Sequence, residues 1–180
     1  MVHDFPCGTR VLDFVGTLEA RRDGTVERLN SPDDLDAWFL ESGLLTRAAG
    51  PSDAEVAVAV ELREAIYALM RSLMHGETPP TDAVDTVNTA AASASVTMTL
   101  HENGIRRTGD TRQALSALAR EAIEIAGGNE AALLRECARP GCTQVYLDHS
   151  RGHRREWCSM ATCGSRMKAK AYRERKKAAR

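Results

Sequence analysis

The chain has 180 residues, 43% of them hydrophobic and 27% charged, a composition that fits an ordinary globular protein and excludes a disordered or fibrous one. No apolar run approaches the ~18 residues that a membrane helix needs. The start, MVHDFPCGTR, lacks the basic and then apolar blocks of a signal peptide, so a cytoplasmic location with reduced thiols is expected.

The net charge of −1 conceals an asymmetry. Residues 1–136 carry 12 Lys+Arg against 22 Asp+Glu, a net of −10, whereas residues 137–180 carry 12 against 3, a net of +9. All four lysines, Lys168, Lys170, Lys176 and Lys177, fall in the last 13 residues. Such a split marks two units with different partners, the basic one facing a polyanion. The alternative is that the two units dock on each other.

In chain order, RVLDFVGTLEARR predicts an amphipathic helix. The next, LNSPDDLDAWFLESGLL, has its start signals in place: Ser31 as cap, Pro32 at the first position, Asp33 and Asp34 at the positive end of the dipole. In SDAEVAVAVELREAIYALMRSLMHG, Ser52 and Glu55 form a capping box and Leu62, Ile66, Leu69 and Leu73 keep the helical period up to Gly76. PPTDAVDTVNTAAAS is a shorter helix begun by a double proline. The period then changes to two in VTMTLHENGIRRTG, with Asn103-Gly104 as the turn of a hairpin. DTRQALSALAREAIEIAGG returns to helix, and NEAALLREC predicts a last short helix. Residues 1–136 thus read as a mostly helical α+β domain with one small hairpin.

Residues 137–180 read as a separate module. Four of the five cysteines occur as Cys137-x4-Cys142 and Cys158-x4-Cys163, fifteen residues apart. In a reducing compartment two short-gap pairs supply the four thiolates of one closed, structural zinc site, with room for a hairpin between them. Disulfides, a redox pair and an open catalytic zinc site are the alternatives. Cys7, alone and distant, reads as a small buried apolar residue. Trp157 is expected to pack on the metal core. From Met160 onward the chain looks helical, and Arg166, Lys170, Arg173, Lys177 and Arg180 recur at steps of four and three, one stripe suited to phosphates. Arg151, Arg154 and Arg155 lie on the preceding loop, where they could reach base edges.

The stretch CARPGCTQVYLDHSRGHRREWCSMATCGSRMKAKAYRER resembles the CGNR zinc finger, with its paired cysteines, LDxS stretch, RRxWCSMxxCGNR block and basic helix. Ser165 stands where that family usually has asparagine. The upstream part, including VLDFVGTLEARRDG and ERLNSPDDLDAWFLESGLL, is similar to the ABATE domain of stress-induced transcription regulators, with Gly16 in place of the asparagine of its LDxxNT pattern. The resemblance implies a zinc-binding, DNA-binding finger joined to a ligand-sensing domain. Arg10, Asp13 and Thr17 are the candidates for a small-molecule site, with helix capping as their other role.

A bacterial transcription regulator is therefore expected. An RNA-binding or ribosome-associated zinc module would use the same charges, and an enzyme with an accessory finger is the third reading. Against the enzyme, residues 1–136 show no Gly-rich phosphate loop and no Ser-His-Asp arrangement, and His3, His75 and His101 lack metal spacing.

Overall fold

The computed structural model describes residues 3–178, which leaves Arg180 of the basic stripe outside the described residues. Helix α1 (Arg10–Val15) begins at Thr9, whose hydroxyl accepts from the Leu12 N–H. It is shorter than the sequence pattern suggests. Both the amide and the hydroxyl of Thr17 bond back to the Phe14 carbonyl, at 3.1 and 2.7 Å. The Gly16 carbonyl, which a continuing helix would use, accepts instead from the Gln144 side chain at 2.9 Å. The chain turns away, and β1 (Leu18–Glu19) pairs antiparallel with β2 (Val26–Glu27).

Helix α2 (Pro32–Glu41) starts as expected, with the Ser31 hydroxyl accepting from the Asp34 N–H, and it buries Leu35, Trp38 and Phe39. Helix α3 (Asp53–His75) carries the full Ser52–Glu55 capping box and ends at Gly76 with φ +66°, a conformation that costs glycine little. Helix α4 (Thr81–Ala91) follows the double proline. Strands β3 (Thr97–His101) and β4 (Gly104–Thr108) form the anticipated hairpin, but its two loop residues are Glu102 and Asn103. Neither has positive φ; Gly104 does, at +111°, so the glycine relieves the turn from the first position of the return strand. Helix α5 (Thr111–Gly127) has a second capping box, Asp110 with Gln113, and buries Leu115, Leu118, Ala122 and Ile125.

After α5 the expected short helix is only a 3-10 turn, Asn129–Leu133. The chain then extends into β5 (Leu134–Glu136), which pairs antiparallel with β6 (Val145–Leu147). This ribbon, not the segment between the cysteine pairs, is the hairpin of the finger, and its loop is the first cysteine knuckle. A π-turn at Met160–Gly164 leads into α6 (Ser165–Ala178).

The fold class is thus the expected one: a mostly helical amino-terminal part with small antiparallel ribbons, a cysteine cluster and a terminal helix. One buried cluster runs through it. Leu134, Val145, Tyr146 and Leu147 of the ribbon join Val11, Phe14, Trp38, Leu62, Ile66 and Leu118 of the helices. β5 packs on α3 and β6 on α1. The boundary anticipated between residues 136 and 137 falls at the end of β5, whose partner β6 lies on its other side.

Inside this core sits Arg63, 1% exposed. Its guanidinium donates to both Glu27 carboxylate oxygens at 2.6 and 2.7 Å, to Glu64 at 2.8 Å and to Thr17 Oγ1 at 3.2 Å. It thereby pins the β1–β2 ribbon to α3. Arg63 is buried while its carboxylate partners are partly open to water, so Arg63→Ala loses charged hydrogen bonds and should cost roughly 2 kcal/mol of unfolding free energy in chemical denaturation. A change within about 0.5 kcal/mol, the range of ordinary surface substitutions, would show that the ribbon does not depend on this pair.

Candidate metal centre

The four cysteines of the two knuckles converge. All are buried, none is in a disulfide, and their sulfurs lie within 4.8 Å of one another. Cys158 Sγ is 3.5 Å from Cys163 Sγ, which is 3.8 Å from Cys142 Sγ. Sulfurs at ~2.3 Å from a tetrahedral zinc stand ~3.8 Å apart, so the donor set fits one zinc ion. As free thiols the four oppose one another. Hydrogen bonds from Cys142 and Cys158 favour the Cys137 thiolate, whose pKa lies far below the ordinary value. The hydrogen bond to Cys137 in turn pushes the Cys142 thiol up, and Cys158 is raised for the same reason. Complete ionisation therefore needs a cation at the centre.

Local structure explains how the sequence builds this cage. Gly141, at φ +75°, turns the first knuckle, and the Cys142 N–H closes it on the Arg139 carbonyl at 2.9 Å. In the second, a Cβ on Gly164 would lie 2.8 Å from Met160 Sδ and 3.2 Å from Trp157 Cδ1, so glycine lets both side chains pack closely on the backbone there. Trp157 is half-buried against the core, as the sequence suggested. Ser165, in place of the usual asparagine, donates its hydroxyl to the Ala161 and Thr162 carbonyls at 2.8 and 2.9 Å and closes the π-turn. Arg139, not singled out from the sequence, donates from Nε to Cys163 Sγ at 3.0 Å. An arginine inside a cysteine knuckle is the signal that would have found it.

Between the pairs, the buried Asp148 organises the loop. Its carboxylate accepts from the Ser150 and Arg155 N–H groups at 2.9 and 3.1 Å, and the Ser150 hydroxyl foremost, then these N–H bonds, hold it below the usual carboxylate range. Arg151 and Arg154 are exposed on this loop. Arg155 is turned inward: it donates to the carbonyls of Trp157, Cys158 and Pro6 and stacks over the Tyr146 ring at 4.4 Å. Arg166, Lys170, Arg173 and Lys177 are exposed along one side of α6, while Met167 and Ala171 are half-buried. Arg139, Arg166, Lys170 and Arg173 border a shallow groove beside the first knuckle.

The three small-molecule candidates separate. Asp13 and Thr17 line a cavity of about 200 Å³ whose opposite wall is Gln144 and the cysteine cluster, and the buried His3 Nε2 at its edge has no hydrogen-bond partner. Arg10 lies elsewhere, donating to the Ser42 carbonyl at 3.1 Å. Asp13 accepts from the Cys7 N–H at 2.8 Å, and burial lifts its carboxyl to about 6. A Cβ at Gly16 would stand 2.2 Å from Gln144 Oε1, so a side chain here would push the Gln144 amide aside.

Residues 8–129 match the family model ABATE, described as "Putative stress-induced transcription regulator", and residues 134–176 match the CGNR zinc finger. The chain belongs to the ABATE family and carries a CGNR zinc finger behind that domain. Neither is an enzyme family. No curated protein matches the chain. No helix of the described residues is long and apolar enough to cross a membrane.

Two outcomes follow for the site. Purified protein should carry one zinc per chain by elemental analysis, and Cys163→Ser should lose it. Structural zinc supplies on the order of 10 kcal/mol in small fingers. Hydrogen exchange over residues 137–166 should therefore rise steeply in that variant. Retention of the metal, or unchanged protection, would dismiss the four-cysteine centre.

The second outcome concerns Asp13. A carboxyl raised on folding binds more protons folded than unfolded, so its contribution falls as pH rises from about 4 through about 6. At pH 7 the buried charge costs on the order of 3 kcal/mol. Asp13→Asn should therefore raise stability at pH 7 and flatten that decline. Equal pH profiles for both proteins would show that Asp13 is not buried as a charge.

Proposed function

We propose that the protein is a DNA-binding transcription regulator whose zinc-held finger and α6 grip the duplex, with the amino-terminal part serving as a sensor. The observation that carries the reading is the freedom of the basic face. Among the described residues no cation of α6 pairs with an acid of residues 3–136; the one α6 pair is internal, Lys170 with Glu174 at 4.0 Å. That weighs against pairing of the basic stripe with the acidic domain, although the two units share one core. Arg166, Lys170, Arg173 and Lys177 take phosphates, joined by Arg139 across the groove. Arg151 and Arg154 take the base-facing role, while Arg155 holds their loop to the Pro6 carbonyl. The cavity at Asp13 and Thr17 is the sensing site, walled by the finger it would control.

A duplex contact displaces condensed counterions, giving a slope of log K against log salt of about −0.9 per phosphate. Replacing Arg166, Lys170, Arg173 and Lys177 together by alanine should flatten the slope by roughly 3 to 4. An unchanged slope would end the phosphate-grip reading. Tighter binding of structured RNA than of any duplex DNA would turn the reading toward an RNA-binding module.

A further inference from the structure

Away from the metal centre, the amino end of α3, the carboxy end of α4 and the amino end of α5 enclose an open cavity of about 550 Å³. Its volume is within the few hundred to ~1,000 Å³ typical of small-molecule pockets. Small side chains of α4 and of the turn after it, Thr86, Thr89, Ala90 and Ser93, line one side of it. Its floor is apolar, with Leu62 and Leu115 buried beneath it and Val58, 53% exposed, on its wall.

The rim is acidic. Three carboxylates, Glu55, Glu61 and Asp85, face one cation, Arg112. Glu55 is already committed: it accepts from the Ser52 N–H and hydroxyl at 2.8 Å and feels the attraction of Arg112. Glu61 and Asp85 form no ion pair among the described residues. The cavity thus offers an apolar floor under two uncompensated negative charges, one from α3 and one from α4. We propose that this groove is a binding site for an organic cation with an apolar body, the ammonium held between Glu61 and Asp85 and the body on Val58, Leu62 and Leu115. An anion would meet net repulsion, and a neutral apolar compound would leave both carboxylates partly desolvated without a partner.

The probe is dansylcadaverine, a primary amine on an aromatic body, titrated into the full chain and followed by its fluorescence, with anionic dansylglycine as the control. Saturable binding of the amine alone is expected. Glu61→Gln with Asp85→Asn should weaken it by roughly tenfold, the effect of removing two solvent-edge charges. Ala90→Trp, which fills the void, should abolish it. Circular dichroism confirms that each variant is folded, and DNA binding by the same variants should be unaltered, which separates this site from the finger. The proposal is overturned by absence of saturable binding, by equal binding of dansylglycine, or by indifference to both sets of substitutions. Dimerisation that Glu61→Gln/Asp85→Asn abolishes, without amine binding, would assign the groove to a basic segment of a second copy and equally overturn it.

Discussion

Four thiol sulfurs packed within 4.8 Å of one another resist shared ionisation unless a dication sits among them. Zinc satisfies that demand and leaves a tetrathiolate with a formal charge of −2, which the Arg139 guanidinium at Cys163 partly offsets. Much else hangs on this cluster. Cys137 directly follows β5, Cys142 precedes β6, and Cys163 lies in the π-turn from which α6 projects. The ion therefore sets the ribbon's closure and the departure direction of the basic helix together. Without it, α6 would keep its sequence but lose its bearing.

The cluster is also wired to the helical part through short side-chain bonds. Gln144, two residues beyond Cys142, reaches the Gly16 carbonyl and accepts from Cys7 Sγ at 3.4 Å. Thr143 accepts from the Arg21 N–H at 3.2 Å, and Arg155 clasps the Pro6 carbonyl at 3.1 Å. Where the family pattern has asparagine, this chain has Gly16, and the Gln144 amide of the finger packs against it. The Gln144–Gly16 bond ties the end of α1 to the finger. Arg139 and Arg166 border both the inner cavity and the outer basic groove. On the proposed reading, a ligand beside Asp13 and a phosphate on α6 address the same two guanidinium groups, and any coupling between them is reciprocal.

The long periodic helices were legible because their signals are local. Capping boxes at Ser52 and a cap at Ser31, a glycine stop at Gly76 and an unbroken apolar stripe all act within a few residues. The metal ligands were legible for a similar reason: pairing and spacing of cysteines restrict the chemistry directly. What escaped depends on distant partners. α1 ends early because Gln144, 128 residues away, takes the carbonyl of Gly16. Leu134–Glu136 is a strand because β6 supplies its hydrogen bonds, although its composition suits a helix. Arg63 looks like one more helical cation, and only the fold buries it against Glu27. Arg155 was grouped with its loop neighbours by charge, yet its position between Tyr146 and three carbonyls separates it from them.

The charge split acquires a physical meaning once contacts are separated from fields. Residues 1–136 carry −10 and residues 137–180 carry +9, yet no described α6 cation pairs with an acid of the helical part. Attraction between α6 and the helical part therefore acts at a distance, where salt screens it over roughly 8 Å at physiological ionic strength. A polyanion approaching such a dipolar molecule is repelled by one end and drawn to the other, so the encounter is oriented before any contact forms. The acidic end has the converse property: it keeps nucleic acid away from its own surface and concentrates small cations there. The α3–α4–α5 groove is lined entirely by residues of that acidic part. A cationic ligand bound there would neutralise part of the repulsive pole without touching the basic helix, and would reach the finger only through the shared core that joins α3 to β5.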